Sequence, residues 1–240
     1  TGVNWTTRLI ALRIMGANGT GWDSWTVEAL NYLVSLLRTH PQMKIAAINL
    51  SLGGYKSEAP SKIQLSAYWR AYKVLDDLDR TVIVVAAGNE GLEVGRPAPY
   101  DDPRDPVDPV FRRGQYCYPA SFTGLKNLIV VGAAASDGSA AVFSNWSPTA
   151  VSLAAPGVNI LSTVFPSASD PEHPGHTYGS LYGAMSGTSQ ATPHVAGAVA
   201  LLASRYPNAT ASQIKDALLR GANGSRNPVA TAPTNTGGAK

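Results

Sequence analysis

Residues 187–197 place a serine where a helix begins. A glycine-bounded turn leads into the alanine-rich residues 198–203, whose composition is strongly helical. We expect Thr188 or Ser189 to cap this helix, because a side-chain oxygen can accept a hydrogen bond from a first-turn N–H group. Pro193 is expected in the opening turns, where a missing N–H is tolerated best. Free backbone N–H groups at the positive end of a helix can stabilise an oxyanion, so Ser189 is a candidate nucleophile as well as a candidate cap.

Asn89 is the second candidate, in a glycine-rich turn that follows the apolar residues 81–86. Its side-chain NH₂ group can donate a hydrogen bond to an oxyanion while the turn fixes its direction. An asparagine in such a turn is also an ordinary residue that tolerates positive φ. The residue types alone leave both interpretations open.

Apolar runs alternate with helical segments along the chain. We predict strands at residues 8–15, 45–50, 81–86, 128–133 and 151–154. Helices are predicted over 24–38, 61–79 and 210–220, in addition to the serine helix. This alternation indicates an α/β fold with three αβα layers and a mostly parallel central sheet. Glycine-rich turns follow the first three strands, so ligands should bind at their carboxyl ends.

Composition excludes several classes of function. The 240 residues are 44% hydrophobic and 15% charged, which fits one globular domain with a large core. The net charge of +3 is scattered, and Arg112–Arg113 is the only adjacent basic pair, which argues against nucleic acid as a partner. No apolar run reaches the roughly 18 residues of a membrane span. A single cysteine excludes an internal disulfide.

Three other interpretations are weak. The glycine loop at 16–21 is not a nucleotide-binding motif, because Trp22 stands where a phosphate-loop lysine would be. His173 and His176, on the loop at 167–179, are too few ligands for a closed metal site, and we expect them to be solvated. An α/β-hydrolase esterase needs Gly-x-Ser-x-Gly, but Ala191 occupies the last position.

The string Gly-Thr-Ser-Gln-Ala-Thr-Pro-His-Val-Ala-Gly at 187–197 resembles the serine motif of the subtilisin-like serine proteases, the subtilases. Gln190 departs from the methionine usual at that position. Ala-Ala-Gly-Asn-Glu-Gly at 86–91 resembles the family's oxyanion motif. Further similar segments lie at 118–122, 143–146 and 154–160, so the resemblance extends from about residue 3 to residue 206.

The resemblance implies a serine endopeptidase with Ser189 as nucleophile, and with Asn89 and the Ser189 N–H as its oxyanion hole. It implies a peptide groove between Ser51-Leu52-Gly53 and Gly19-Thr20-Gly21, with a primary pocket walled by Ala86, Ala87, Gly88 and residues 51–53. A substrate that adds as a β-strand needs such small residues and exposed backbone. Cys117 is expected near the pocket floor, where the family often has glycine, which predicts a shallow pocket for medium-sized apolar residues. A buried core thiol is the alternative for Cys117.

The family's Asp-[Ser/Thr]-Gly and His-Gly-Thr-His motifs do not occur in this sequence. His194 belongs to the serine helix, and His40 lies beyond the first helix, so neither is expected to replace the missing base. The resemblance therefore implies that residues 1–240 are a single, N-terminally truncated catalytic domain, inactive without the N-terminal segment of the same protein. A protease-like module that binds peptides without cutting them is the alternative.

The resemblance also implies polypeptide substrates, an extracellular location and a monomer. No cofactor is expected for catalysis, and structural calcium is expected by analogy, with a weaker backbone site near Ala120 and Phe122. Residues 221–240, rich in Asn, Gly, Thr and Pro, are predicted to be a frayed tail.

Overall fold

A computed structural model describes residues 2–16, 19–99, 113–164, 181–222 and 227–230. Its elements follow one another along the chain as α1 (Asp23–Thr39), β1 (Ala47–Leu50), β2 (Gly54–Lys56), α2 (Pro60–Ile63), α3 (Ala67–Leu78), β3 (Val82–Ala86), β4 (Tyr116–Tyr118), β5 (Leu128–Ala134), β6 (Leu153–Pro156), β7 (Ile160–Thr163), β8 (Tyr182–Met185), α4 (Thr188–Arg205), α5 (Ala211–Gly221) and a 3₁₀ turn (Pro228–Ala230).

The central sheet has the strand order β1-β3-β5-β6, and all of its neighbouring strands are parallel. Alternate side chains of β3 enter different cores. Ile83 and Val85 pack with α1 and α3, whereas Val82 and Val84 pack with α4 and α5. Both faces of the strand are buried, which explains its continuous apolar run. The predicted α/β fold with three layers is therefore confirmed.

Side-chain caps decide where two of the helices begin. The Oγ of Ser66 accepts a hydrogen bond from the Trp69 N–H at 3.1 Å and starts α3. Thr210 and Gln213 form a reciprocal capping box at the start of α5. The single helix predicted over 61–79 is wrong for this reason: the chain forms α2 and α3 separately, with the Ser66 cap between them.

The first predicted strand, at 8–15, is also wrong. None of its residues is in a strand, and Leu9 is 90% exposed. A β-strand needs a neighbour for its backbone hydrogen bonds, and no segment in the described ranges pairs with this one. Its apolar sequence is therefore not sufficient to make it part of the sheet.

Smaller differences concern strand ends and short pairs. The predicted strand at 151–154 forms two residues later, as β6. Two antiparallel pairs, β2 with β4 and β7 with β8, were not predicted. Their strands have three or four residues and no continuous apolar run, so the sequence gives little signal for them.

Part of the predicted frayed tail is packed. Val229 is fully buried, and its carbonyl accepts a hydrogen bond from the Ser147 N–H at 2.9 Å. A Cβ atom on Gly132 of β5 would lie 2.8 Å from the Val229 side chain, so the two segments are in close contact. The expectation of fraying is therefore wrong for residues 227–230.

None of the described helices combines the length and the apolar character needed to cross a membrane. The loop histidines His173 and His176 and the basic residue Arg112 lie outside the described residues.

Candidate active site

A cavity of about 370 Å³ lies at the carboxyl ends of β1 and β3. Seven of the predicted site residues line it, namely Leu52, Gly53, Ala86, Gly88, Asn89, Cys117 and Ser189. This is the edge of a parallel sheet at which ligands bind. Residues from four separate segments of the chain therefore meet around one cavity.

Helix α4 carries Ser189 into the cavity as the second residue of the helix. The N-cap is Gly187, which makes no side-chain capping bond, so the predicted cap at Thr188 or Ser189 is wrong. The Thr188 N–H finds its acceptor on another loop, at 2.8 Å from Asn89 Oδ1. The Ser189 N–H is also in the first turn of α4, where backbone N–H groups have no acceptor within the helix.

Pro193 lies inside α4, four residues after Ser189. A proline has no N–H, so the Ser189 carbonyl lacks the usual hydrogen bond from within the helix. The Oγ of Ser51 donates to that carbonyl at 2.8 Å instead. The loop after β1 is thereby attached to the helix turn that holds the candidate nucleophile.

Asn89 is exposed at the end of the turn after β3. Its Oδ1 accepts hydrogen bonds from the N–H of Thr188 at 2.8 Å and from the hydroxyl of Thr188 at 3.0 Å. A backbone N–H can only donate, so the oxygen end of the amide must face Thr188. The NH₂ end is then the part of Asn89 that is available to a ligand.

Ser189 has no imidazole partner among the described residues. Its Oγ donates a long hydrogen bond of 3.4 Å to the Ser51 carbonyl. The ring of His194 contacts the Gln190 carbonyl at 2.8 Å within α4, and His40 contacts Thr39 at 2.9 Å. The described residues therefore supply a candidate nucleophile and oxyanion donors, but none of them places a general base at Ser189.

Cys117 lies on β4 with 7% of its surface exposed. Its thiol donates to the Ala87 carbonyl at 3.6 Å and also lines the cavity. The pocket-floor position and the buried thiol were alternatives in the sequence, and both descriptions fit this placement. Ala87, a predicted wall residue, is fully buried and does not line the cavity.

The cavity also contains a carboxylate that the sequence did not predict. Glu90 lines the cavity, and its Oε2 accepts hydrogen bonds from the Tyr55 hydroxyl at 2.9 Å and from Asn145 Nδ2 at 2.8 Å. Burial raises the pKa of the Tyr55 hydroxyl well above its ordinary value, and Cys117 and Glu90 raise it further. Tyr55 therefore stays protonated as a donor. Glu90 directly follows Asn89 in the sequence, and this adjacency is the signal that could have identified it.

The predicted second edge of the groove, Gly19-Thr20-Gly21, does not line this cavity. A Cβ atom on Gly21 would lie 2.3 Å from the Ile14 carbonyl oxygen, so this turn folds back on the segment before it. Because residues 8–15 do not join the sheet, the turn that follows them is not carried to its carboxyl edge.

A metal centre is not evident in the described part of the chain, where no group of three or more His, Cys, Asp or Glu side chains could hold an ion. Ala120 and Phe122 are buried beside β4. A calcium site formed by backbone oxygens there stays a prediction.

Comparison with known proteins gives a family. A model of the Subtilase family (peptidase S8) matches residues 1–238. Subtilisin amylosacchariticus of Bacillus subtilis subsp. amylosacchariticus is 32% identical over 224 residues, which are 90% of this chain and 44% of that protein. Subtilisin-like protease 1 of Trichophyton verrucosum is 31% identical over 195 residues, 81% of this chain and 37% of that protein. The chain thus spans less than half the length of these two relatives.

The structure is similar to a crystal structure described as a cold adapted subtilisin-like serine proteinase, with a TM-score of 0.59 and 25% identity over 92% of this chain and 61% of that one. This similarity confirms the subtilisin-like fold. Since the family model covers almost the whole sequence, and the relatives and the fold agree with it, the chain belongs to the subtilase family.

Proposed function

We propose that this chain carries the nucleophile and the oxyanion hole of a serine endopeptidase. The observation that supports the proposal best is the contact between Asn89 and Thr188, which holds a side-chain amide against the first turn of α4. Asn89 and Ser189 also line the same cavity, which supports a shared site for the nucleophile and its oxyanion donors. Family membership supports the same activity.

In the proposed reaction, Ser189 Oγ attacks the carbonyl carbon of the scissile peptide bond while a general base removes its proton. The carbonyl oxygen becomes an oxyanion that accepts hydrogen bonds from Asn89 Nδ2 and from the Ser189 N–H. The C–N bond breaks as the protonated base returns its proton to the leaving amine. Water then hydrolyses the acyl-enzyme by the same steps and releases the serine.

The proposal requires a histidine and an aspartate that the described residues do not place at Ser189. By resemblance, they belong to the N-terminal part of the catalytic domain. The isolated 240-residue chain is accordingly proposed to be inactive, and the tests below use the full-length protein. A peptide-binding module without catalysis is the second candidate, because the only described partner of Ser189 Oγ is the Ser51 carbonyl.

We propose that the primary pocket accepts medium-sized apolar residues. Three apolar residues that line the cavity support this preference, namely Leu52, Ala86 and Cys117. The Glu90 carboxylate is held by Tyr55 and Asn145, so its charge is directed at two donors. Cleavage best after Lys or Arg in a peptide panel would contradict this preference.

Polypeptides are the proposed substrates, and an extracellular monomer that needs no cofactor for catalysis is the proposed working form. Structural calcium near Ala120 and Phe122 is part of the same proposal. Each of these statements follows from the family and is open to direct measurement.

The deciding experiment treats the full-length protein with a peptidyl phosphonate that labels reactive serines and measures hydrolysis of a peptide panel in parallel. We expect cleavage, and we expect mass spectrometry to map the phosphonate to Ser189. Saturable peptide binding with neither cleavage nor labelling would establish the binding module. Cleavage with the label on another serine would reject Ser189 as the nucleophile.

A further inference from the structure

Asn145 lies directly beneath the turn that carries Asn89, and only 1% of its surface is exposed. Its Oδ1 accepts hydrogen bonds from the N–H of Glu90 at 3.1 Å and from the N–H of Leu92 at 2.8 Å. Its Nδ2 donates to the Ala87 carbonyl at 2.9 Å and to Glu90 Oε2 at 2.8 Å. All four of these bonds reach the segment 87–92.

The orientation of this amide is determined by its partners. Two backbone N–H groups face one end and a backbone carbonyl faces the other, so exchanging the oxygen and nitrogen would place like groups together. The Asn145 backbone is fixed as well, because its N–H donates to the Gly88 carbonyl at 2.9 Å. Its carbonyl accepts from Ser144 Oγ at 2.9 Å, and that hydroxyl in turn accepts from the N–H of Ala133 in β5 at 2.9 Å. The backbone of Asn145 is therefore linked to the central strand β5 through Ser144.

Gly88 shows how closely the turn lies against Asn145. Its φ of +106° favours glycine, and a Cβ atom there would lie 2.2 Å from Asn145 Nδ2. Any displacement of the Asn145 amide must therefore be transmitted to the backbone next to Asn89. On the opposite side, Thr188 holds the Asn89 side chain. Thr188 therefore supports the Asn89 amide, and its hydroxyl also accepts from the Gly88 N–H at 3.2 Å. The hydrogen bonds of the Asn145 side chain, by contrast, reach other residues of the turn.

We propose that Asn145 is a positioning residue for catalysis. It holds the backbone of the turn in the position from which the Asn89 NH₂ group can donate to the oxyanion. The same side-chain amide donates to the Glu90 carboxylate and so orients it. This inference rests on the proposed peptidase function.

The chemistry of the site requires both ends of an amide. An aspartate has the same shape and keeps the acceptor for the two N–H groups, but it places a second oxygen against the Ala87 carbonyl and the Glu90 carboxylate. A serine is too short to reach both sides of the turn. Asn145→Asp is thus the sharper variant, because it removes two donated hydrogen bonds without creating a cavity.

Asn127 provides a matched control. It is fully buried at the opposite end of β3, where its Nδ2 donates to the carbonyls of Thr81 at 2.9 Å and Leu75 at 3.3 Å. Asn127→Asp makes the same chemical change away from the cavity. Both variants should lose stability, but only one of them should alter the turn that carries Asn89.

The experiment measures kcat and KM of the full-length protein on a peptide anilide, together with inhibition by a peptide boronic acid and by the corresponding peptide amide. The boronate forms a tetrahedral adduct on a serine and places an oxygen in the oxyanion hole, whereas the amide does not. We expect Asn145→Asp to lower kcat by about 10- to 100-fold with KM changed by less than about threefold, because a displacement of about 1 Å can cost 10² in rate. The boronate should weaken by a similar factor and the amide should not.

A rescue experiment gives a second test of the role of Asn145. In the double variant Asn145→Asp with Glu90→Gln, the new amide can donate to the new carboxylate, so part of the lost kcat should return. Asn127→Asp should keep kcat and the ratio of boronate to amide affinity within about twofold of the parent, because its hydrogen bonds end far from the oxyanion hole.

The outcomes separate the two proposals. A parent protein that cleaves no peptide overturns the peptidase function and this inference together. An active parent with unchanged kcat and unchanged boronate affinity in Asn145→Asp overturns the inference alone. If Asn145→Asp does not fold, Asn145→Ser is measured in the same assays; failure of both to fold would assign Asn145 to folding and overturn a positioning role.

Discussion

A buried asparagine side chain lies at each end of β3, but the two side chains bind different partners. At the amino end, Asn127 joins β5 to the Leu75 and Thr81 carbonyls, while its own Oδ1 and the Thr81 hydroxyl have no hydrogen-bond partner in the described ranges. At the carboxyl end, Asn145 uses its oxygen twice and its nitrogen twice. The second arrangement is fully satisfied, and the first is not.

This difference indicates what each end does. A buried polar atom without a hydrogen-bond partner lowers the free energy of unfolding. The other contacts at the amino end must therefore offset this loss. At the carboxyl end, each hydrogen bond restrains the turn that places Asn89 at the cavity. Substitutions at the carboxyl end should therefore change rates, and substitutions at the amino end should change only the free energy of unfolding.

The largest effect is expected at the nucleophile. Ser189→Ala in the full-length protein should lower kcat by about 10⁶-fold, the order of loss seen when the nucleophile of a serine protease of this family is removed. The melting temperature should hardly change, because among the described residues Ser189 Oγ makes only the 3.4 Å hydrogen bond to Ser51. Initial rates on a peptide anilide, with thermal unfolding as control, test this; a variant with more than about 1% of parental kcat would contradict the mechanism.

The oxyanion donor should come next. Asn89→Ala is expected to lower kcat by about 10²–10³ with KM nearly unchanged, because its hydrogen bond is made mainly in the transition state. Steady-state kinetics on the same substrate provide the measurement. Equal turnover by the variant and the parent would remove Asn89 from the site.

The chemistry of these two positions could be predicted from the sequence. Residue types and spacing made Ser189 and Asn89 candidates, the resemblance to the subtilases placed Cys117 near the pocket, and the apolar runs predicted the parallel strands beyond residue 45. These signals are local, because each depends on a few adjacent residues and on the fact that both faces of the sheet are buried.

The remaining features depend on contacts between distant segments. The role of Asn145 arises from bonds to Glu90 and Leu92, more than 50 residues away along the chain. The apolar run at 8–15 failed as a strand because apolar character does not supply a pairing partner. The Ser189 carbonyl is satisfied by Ser51 rather than within α4, which the interior position of Pro193 explains only once the fold is known.

The same substitution, Thr to Val, near each end of β3 compares their effects on kcat and on stability directly. Thr188→Val removes the hydroxyl that donates to Asn89 Oδ1 at 3.0 Å and accepts from the Gly88 N–H at 3.2 Å, and a loss of kcat of about tenfold is expected. Thr81→Val removes a buried hydroxyl that has no hydrogen-bond partner among the described residues, and should stabilise the protein by about 1 kcal/mol while kcat is unchanged. Denaturant unfolding and steady-state kinetics on both variants decide between the ends. A loss of stability in Thr81→Val would mean that its hydroxyl is satisfied in solution.

The smallest effect is expected at Asp79, which is remote from the cavity and accepts hydrogen bonds from the N–H and hydroxyl of Ser212 at 2.8 Å each. Burial raises the pKa of the Asp79 carboxyl, but the hydrogen bonds from Ser212 and Thr210 and the charge of Lys126 outweigh it and hold the pKa below its ordinary value. A carboxylate with a lowered pKa adds stability above its unfolded pKa of about 3.9 and loses it as the pH falls through the lower folded value.

Asp79→Asn keeps an acceptor and tolerates the left-handed φ of 49°, so it removes mainly the charge at the start of α5. We expect a loss of about 0.5–1 kcal/mol at pH 7, typical of a carboxylate at a helix N-terminus. That loss should shrink below about pH 4, because the parental carboxyl then becomes protonated as well. Urea unfolding at pH 7 and pH 3 gives the measurement, with kcat at pH 7 as control. A difference that grows toward low pH would reverse the sign of the linkage, and a change in kcat would show that the helix after the site is coupled to the cavity after all.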